Sequence, residues 1–258
     1  MIPKIIHYCW FGGNPLPDEY KGYIETWKKF CPDYEIREWN ESNFDVNQNT
    51  YCKEAYAAKK WAFVSDYARL KIIFENGGIY LDTDVEVLKD LSPLISDDIG
   101  FIGFQNQEEA NTGLGFAAAP NNICIGKMLE LYEKRHFNIG NEEYDLTPCP
   151  VVNTVALRMC GLKTGKINAL RIQELSGLKV YPIEFFNPVD PDTMKCTITE
   201  NTYTIHRYSA SWTSSESKKM RKLKKFIPAC ILHKRTEYIS KRGVKAYENK
   251  LNGRVNIN

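Results

Sequence analysis

Apolar positions in the first half of the chain come in short runs broken by Gly, Pro and polar clusters, and the runs alternate between two periods. Residues 4–10 are apolar and β-branched and stop at Gly12-Gly13, which predicts a first strand. Residues 20–30 predict a helix ended by Cys31-Pro32, and residues 34–39 a second strand. Over residues 62–76, Ala62, Leu70, Ile73 and Phe74 share one helical face, and Gly77 stands where a left-handed C-terminal cap is wanted. Residues 79–81 follow as a short strand. Residues 99–104 and 114–118 predict strands on either side of a polar loop. Residues 123–135 and 151–159 predict helices, and residues 203–206 a late strand. This alternation predicts an α/β sheet covered by helices, a form in which ligands sit at the carboxyl ends of strands.

Composition narrows the class. With 258 residues, 43% hydrophobic and 12% aromatic, the chain can bury a sizeable core, which excludes global disorder. No apolar run reaches the roughly 20 residues of a membrane span, and the N-terminus lacks a signal-peptide pattern. A cytoplasmic protein is the expectation. Eight cysteines are widely and irregularly spaced, without a C-x-x-C pair, so they read as reduced, mostly buried thiols rather than a zinc site. The net charge of +2 conceals an asymmetry. Residues 216–258 hold 13 Lys and Arg against 3 Asp and Glu, a net +10, so residues 1–215 carry −8. The expected organisation is one α/β domain over 1–215 and a basic helical extension over 216–258. Lys218 to Lys225 supply six cations, and Pro228 separates a basic helix from a second, short one. Such a tail suits an anionic membrane surface, and no nucleic-acid recognition pattern accompanies it.

The chemistry concentrates in "GGIYLDTDVEVL", residues 77–88. On an extended chain Asp82 and Asp84 share a face and Thr83 turns away. Two adjacent carboxylates repel, and a divalent cation relieves the conflict. Oxygen ligands suit Mg2+ or Mn2+, which keep room for phosphate oxygens. On the preceding helix Asp66 and Arg69 are three apart and share a face; a surface ion pair is the plain alternative.

The runs "IPKIIHYCWFGG", "FVSDYARLKIIFENGGIYLDTDVEVLKDL" and "IHRYSASW" resemble glycosyltransferase family 32. Initiating mannosyltransferases, capsule and lipopolysaccharide enzymes and the glucosylating domains of large clostridial toxins share this pattern. The resemblance implies a GT-A fold, a Rossmann-like mixed sheet with helices on both faces. It also implies a nucleotide-sugar donor, Mn2+ or Mg2+, and transfer with retention to a saccharide or lipid-linked acceptor in cell-surface polysaccharide synthesis. A UDP-sugar is the first expectation and GDP-mannose the second. By the same resemblance Trp10 stacks on the base, and His7 and Tyr80 line the donor pocket. Asp66 bonds donor-sugar hydroxyls, and Arg69 faces sugar and diphosphate. Asp82 contacts ribose or sugar, Asp84 ligates the metal, and His206 joins it. His206 and Trp212 close over the diphosphate, Ser209 or Ser211 supports the metal or phosphate, and Asn111 of "NTGLGF" reaches the transferred sugar. The helix start after "DLTPCP" would face an anion. Lys59 and Lys60 read as solvated lysines. The toxins carry Glu and Ser where this chain has His206.

Two other readings exist. A haloacid-dehalogenase-like phosphatase also sets D-x-D after a strand, and Asp97-Asp98 imitates its later acidic pair, but Glu86 stands where that motif wants Thr or Val. A non-catalytic nucleotide-sugar or membrane-binding protein would show a decayed D-x-D, and this one is intact.

Overall fold

The computed structural model describes residues 1–190, 192–208 and 227–255. The first half runs β1 (Ile5–Cys9), α1 (Asp18–Phe30), β2 (Glu35–Trp39), α2 (Thr50–Ala57), α3 (Trp61–Asn76), β3 (Gly78–Tyr80), β4 (Val85–Val87), β5 (Gly100–Phe104) and β6 (Ala110–Ala118). The second half runs α4 (Ile123–Glu133), β7 (Asn138–Gly140), β8 (Glu143–Tyr144), α5 (Cys149–Met159), β9 (Gln173–Leu175), β10 (Leu178–Tyr181), β11 (Thr204–His206) and a last helix, here α6 (Ala229–Val255). Every strand and helix predicted over residues 4–206 is present within a few residues. The patterning missed α2, β4, the β7–β8 hairpin, β9 and β10.

Seven strands form one sheet in the order β2-β1-β3-β6-β5-β10-β9. Strands β2, β1 and β3 are parallel, β6 is antiparallel to both neighbours, β5 and β10 are parallel, and β9 is an antiparallel edge. This is the mixed, helix-covered α/β sheet of the expectation. Alternate residues serve two cores. Ile6, Tyr8, Ile79 and Phe101 pack with Ile24 and Trp27 of α1. Tyr80, Ile102 and Phe104 pack with α3, α4 and α5 on the other face. Burial on both faces is why the strands read as apolar runs rather than clean alternations.

The Gly-Gly turn has a more specific role than a left-handed cap. Gly77 sits at φ +67°, ψ −164°, a region essentially reserved for glycine, and a Cβ there would lie 2.6 Å from Pro120. At Gly78 (φ +97°) a Cβ would meet the His7 imidazole at 2.9 Å. His7 is fully buried; its Nδ1 accepts from Trp39 Nε1 (2.9 Å), so its Nε2–H donates to Gly77 O (3.0 Å). The expectation that His7 lines the donor pocket is therefore corrected. The resemblance set it beside the donor, but the missing side chain at Gly78 leaves room that the imidazole fills.

Burial, reinforced by Arg37, lowers the His7 pKa to about 4. The unfolded chain, with a pKa near 6.5, then binds the proton more readily, so this group's contribution to stability rises with pH between about 4 and 6.5. Between pH 7 and pH 5 the protein is expected to lose about 2 kcal/mol on this account. Urea midpoints should show that slope, and His7→Asn should flatten it.

Helix α6 is not the short second helix of the expectation; it runs 27 residues from the position after Pro228. Its inner face carries Leu232, Val244 and Tyr247, all buried, and it packs along α5. Arg158–Glu248 (2.9 Å) fixes it to α5. The tail stretch 218–225 lies outside the described residues.

Candidate active site

Strand β3 ends at Tyr80, and Leu81 N still bonds His7 O (3.0 Å), so the segment leaves the sheet at its carboxyl edge. Asp82-Thr83-Asp84 then turns, closed by Val85 N→Asp82 O (3.0 Å). The two carboxylates converge through this turn rather than through strand alternation. After the turn β4 pairs antiparallel with β11, setting His206 opposite Val85. Arg207 N→Asp84 O (2.9 Å) closes the ladder and brings the His206 imidazole beside the D-x-D.

Arg69 is the hinge of the constellation. Its Nη2 donates to Asp66 Oδ1 (2.7 Å), its Nη1 to Asp82 Oδ2 (3.3 Å) and its Nε to the Ser65 carbonyl (3.0 Å). Its side chain is only 5% exposed, which disposes of the surface-pair alternative. Tyr80 lies 5.3 Å from the guanidinium by its ring centroid, and its hydroxyl donates to Asp82 Oδ1 (3.0 Å). Burial raises Asp66 and Asp82 above the usual carboxylate range against the pull of Arg69; for Asp82 the charge of Asp84 adds to the rise.

Strand β6 supplies the opposite wall. Its register with β5 slips between Ile102, opposite Phe116, and Gly103, opposite Asn111, so residues 112–115 bulge out of the ladder. The bulge lays Gly113 against the charges. A Cβ on Gly113 would stand 2.8 Å from Asp82 Oδ2, 3.1 Å from Asn111 Oδ1 and 3.2 Å from Arg69 Nη1. Asn111 thus joins the cluster, held by Gln105 Oε1 at its Nδ2 (2.9 Å) and by Gly113 N at its Oδ1 (2.7 Å). The Cys149 thiol, at the first turn of α5, reaches the same Oδ1 (3.5 Å) and borders Asp66. Burial pushes this thiol well up, so it stays a neutral donor.

Asp82, Asp84 and His206 each offer a ligand atom, all within 4.8 Å of one another. His206 Nε2 lies 3.3 Å from Asp84 Oδ1, while its buried Nδ1 has no hydrogen-bond partner among the described residues. Two carboxylates and an imidazole fit Mn2+ or Mg2+. Asp82 already spends one oxygen on Arg69 and the other on Tyr80, so Asp84 and His206 are the better-disposed direct ligands.

Asp66, Arg69, Tyr80, Asp82, Asp84, Asn111 and His206 therefore come together. Trp10 sits half-buried just past β1, its indole donating to Asn14 O (2.6 Å) with its edge against Tyr20. Lys59 and Lys60 are exposed ahead of α3. Ser209, Ser211 and Trp212 lie outside the described residues. Asp97 and Asp98 precede β5, at the amino edge of the sheet, where Asp97 pairs with Lys179 and Asp98 accepts from Ile2 N. They cannot assist the D-x-D, and the phosphatase reading loses its second acidic pair. Sequence reasoning missed Gln105, Cys149 and Tyr208, whose ring packs at 4.3 Å from that of His206. Gln105 and Cys149 arrive through non-local packing, whereas Tyr208 lies two residues past His206, inside the run "IHRYSASW".

Comparison with known proteins finds relatives over part of the chain. Residues 17–100 match the family described as "Glycosyltransferase sugar-binding region containing DXD motif". Inositol phosphoceramide mannosyltransferase 3 of Schizosaccharomyces pombe is 32% identical over 98 residues, covering 36% of this chain and 27% of that protein. An uncharacterized glycosyltransferase, L373, of Acanthamoeba polyphaga mimivirus is 33% identical over 110 residues, covering 39% and 42%. The chain thus matches less than half the length of these relatives. Among solved structures, the PaToxG glycosyltransferase aligns with a TM-score of 0.45 at 24% identity over 61% of this chain and 69% of that one.

Proposed function

The chain carries, over residues 17–100, the sugar-binding region of a D-x-D glycosyltransferase family, and from that premise we propose that it is a metal-dependent, retaining glycosyltransferase. It moves a hexose from a nucleotide-sugar donor, a UDP-sugar first and GDP-mannose second, to a hydroxyl of a saccharide or lipid-linked acceptor. Its place is cell-surface polysaccharide synthesis, at the inner face of a cytoplasmic membrane. The observation that carries this reading is the Arg69 clamp, which holds Asp66 and Asp82 together at the strand end beside Asp84 and His206.

Asp66 and Asn111 orient the sugar, Trp10 covers the base, and Arg69 faces the diphosphate. Asp84 and His206 would hold Mn2+ or Mg2+, which when bound supplies positive charge to the diphosphate. The bond from the anomeric carbon to the phosphate oxygen breaks, and the acceptor oxygen bonds to that carbon on the same face. The acceptor proton passes to the departing phosphate oxygen. Charge building on the leaving group is what Arg69 stabilises, and the Asp66–Asp82 clamp fixes its orientation before the reaction begins. A donor-hydrolysis screen across UDP- and GDP-sugars, with and without Mn2+, tests the reading. Release of one nucleoside diphosphate in an Mn2+-dependent manner is expected; inert donors throughout would refute it.

A further inference from the structure

The outer face of α6 is unlike the rest of the surface. Ile231, Lys234, Arg235, Tyr238, Lys241, Arg242 and Lys245 follow one another at steps of one and three residues and so form one stripe, opposite the buried Val244 and Tyr247. Ile231 is 55% exposed and Tyr238 63%. The five cations are all exposed, and none has an ion pair among the described residues; the basic groups of α6 that do pair are His233, with Asp190, and Lys250, with Asp145. The helix has two acids: Glu248 pairs with Arg158 of α5, and Glu237 borders the stripe, three residues from Lys234 and four from Lys241, so the face keeps a net charge of five cations against one acid.

From this we infer that the outer face of α6 is a docking surface for an anionic phospholipid bilayer. Charge complementarity selects an anionic partner, since five exposed cations, none ion-paired among the described residues, are bordered by a single acid, Glu237. The two exposed apolar residues select a bilayer: an isoleucine gains from the acyl boundary, and a tyrosine suits the interface with its ring inward and its hydroxyl wet. The face also lies close to the chemistry. Ser240, on the inner side of α6, is bonded by Asn106 (3.1 Å), in the loop whose Gln105 holds Asn111. A protein docked through this stripe keeps the Asn111 side of its site one helix and one loop away from the lipid surface. The inference draws on the proposed function only for the value of that proximity; docking itself requires no sugar transfer, so the two fail separately.

Deleting the helix is not a clean test, because Val244 and Tyr247 belong to the core. Point substitutions on the exposed stripe are. The full chain should co-sediment with vesicles of phosphatidylcholine and phosphatidylglycerol at 7:3 but not with phosphatidylcholine alone, and high salt should release it. At roughly fivefold per cation, the triple variant Arg235→Glu, Lys241→Glu, Arg242→Glu should lose at least about 100-fold in vesicle affinity. Ile231→Ser with Tyr238→Ser should weaken binding and leave the salt dependence in place. Both variants should keep the parent's melting temperature and donor hydrolysis. Variants that sediment like the parent, a parent indifferent to lipid charge, or a parent that binds a DNA duplex and ignores vesicles would each overturn the inference.

Discussion

Arg69→Ala is expected to lower the melting temperature by about 10 °C and to cut donor kcat/KM at least about 10-fold. The stability loss follows from the clamp. Arg69 neutralises two carboxylates that are both largely withdrawn from water, at 2.7 and 3.3 Å. Removing one partner of a buried pair strands the other charge, at a typical cost of about 3–5 kcal/mol. Here two carboxylates are left, and Tyr80 reaches only one of them. Thermal unfolding measures this term. Asp66→Asn in the same background removes one stranded charge and should restore part of the loss. The kinetic term is separate. Assayed well below the melting temperature, the variant should still lack a cation facing the diphosphate, and the loss should fall on kcat as well as KM. A destabilised variant with parental kinetics would make Arg69 a structural ion pair and remove it from the mechanism.

The parts of the fold that were legible in the sequence are those whose signal is local. Strand β1, α1, α3 and β3 each carry a period and a stop residue within a few positions, and the S-D-x-x-R…D-x-D string runs from α3 through β3 into the turn that follows. Strand β4 was hidden because three residues directly after two aspartates look like more of the same strand. Strand β10 depends on pairing with β5, where Leu178 stands opposite Gly100, and β9 joins the sheet only through β10, so no local pattern reports either as part of it. Helix α6 was read as part of a basic helical extension because its charge is conspicuous. Its core residues, Val244, Tyr247 and Leu251, were nonetheless spaced three and four apart, a helical stripe in plain view. Asp66, Arg69, Asp82, Asp84 and His206 converge as the motifs suggest. His7 shows the limit of motif reasoning: the run it belongs to suggests a pocket, while a glycine 71 residues later decides where it goes. Cys149 is the opposite case, a residue without motif that packing delivers to the site.

The central claim is that Asp84, with His206, holds a divalent cation on which turnover depends. Asp84→Asn keeps the shape of the side chain and removes its charge, so the β4–β11 ladder, Arg207 N→Asp84 O included, should persist and the melting temperature should stay near the parent's. Loss of charge stabilisation by a bound cation is worth several kcal/mol, so Mn2+-dependent turnover should fall by at least about 100-fold. The deciding measurement is the rate of nucleoside diphosphate release at saturating donor, for parent and Asp84→Asn, first in chelator and then with Mn2+ restored. The account predicts a parent that is silent in chelator and recovers with Mn2+, and a variant that stays silent in both. A parent that turns over equally in chelator, or a variant that recovers as the parent does, would contradict it.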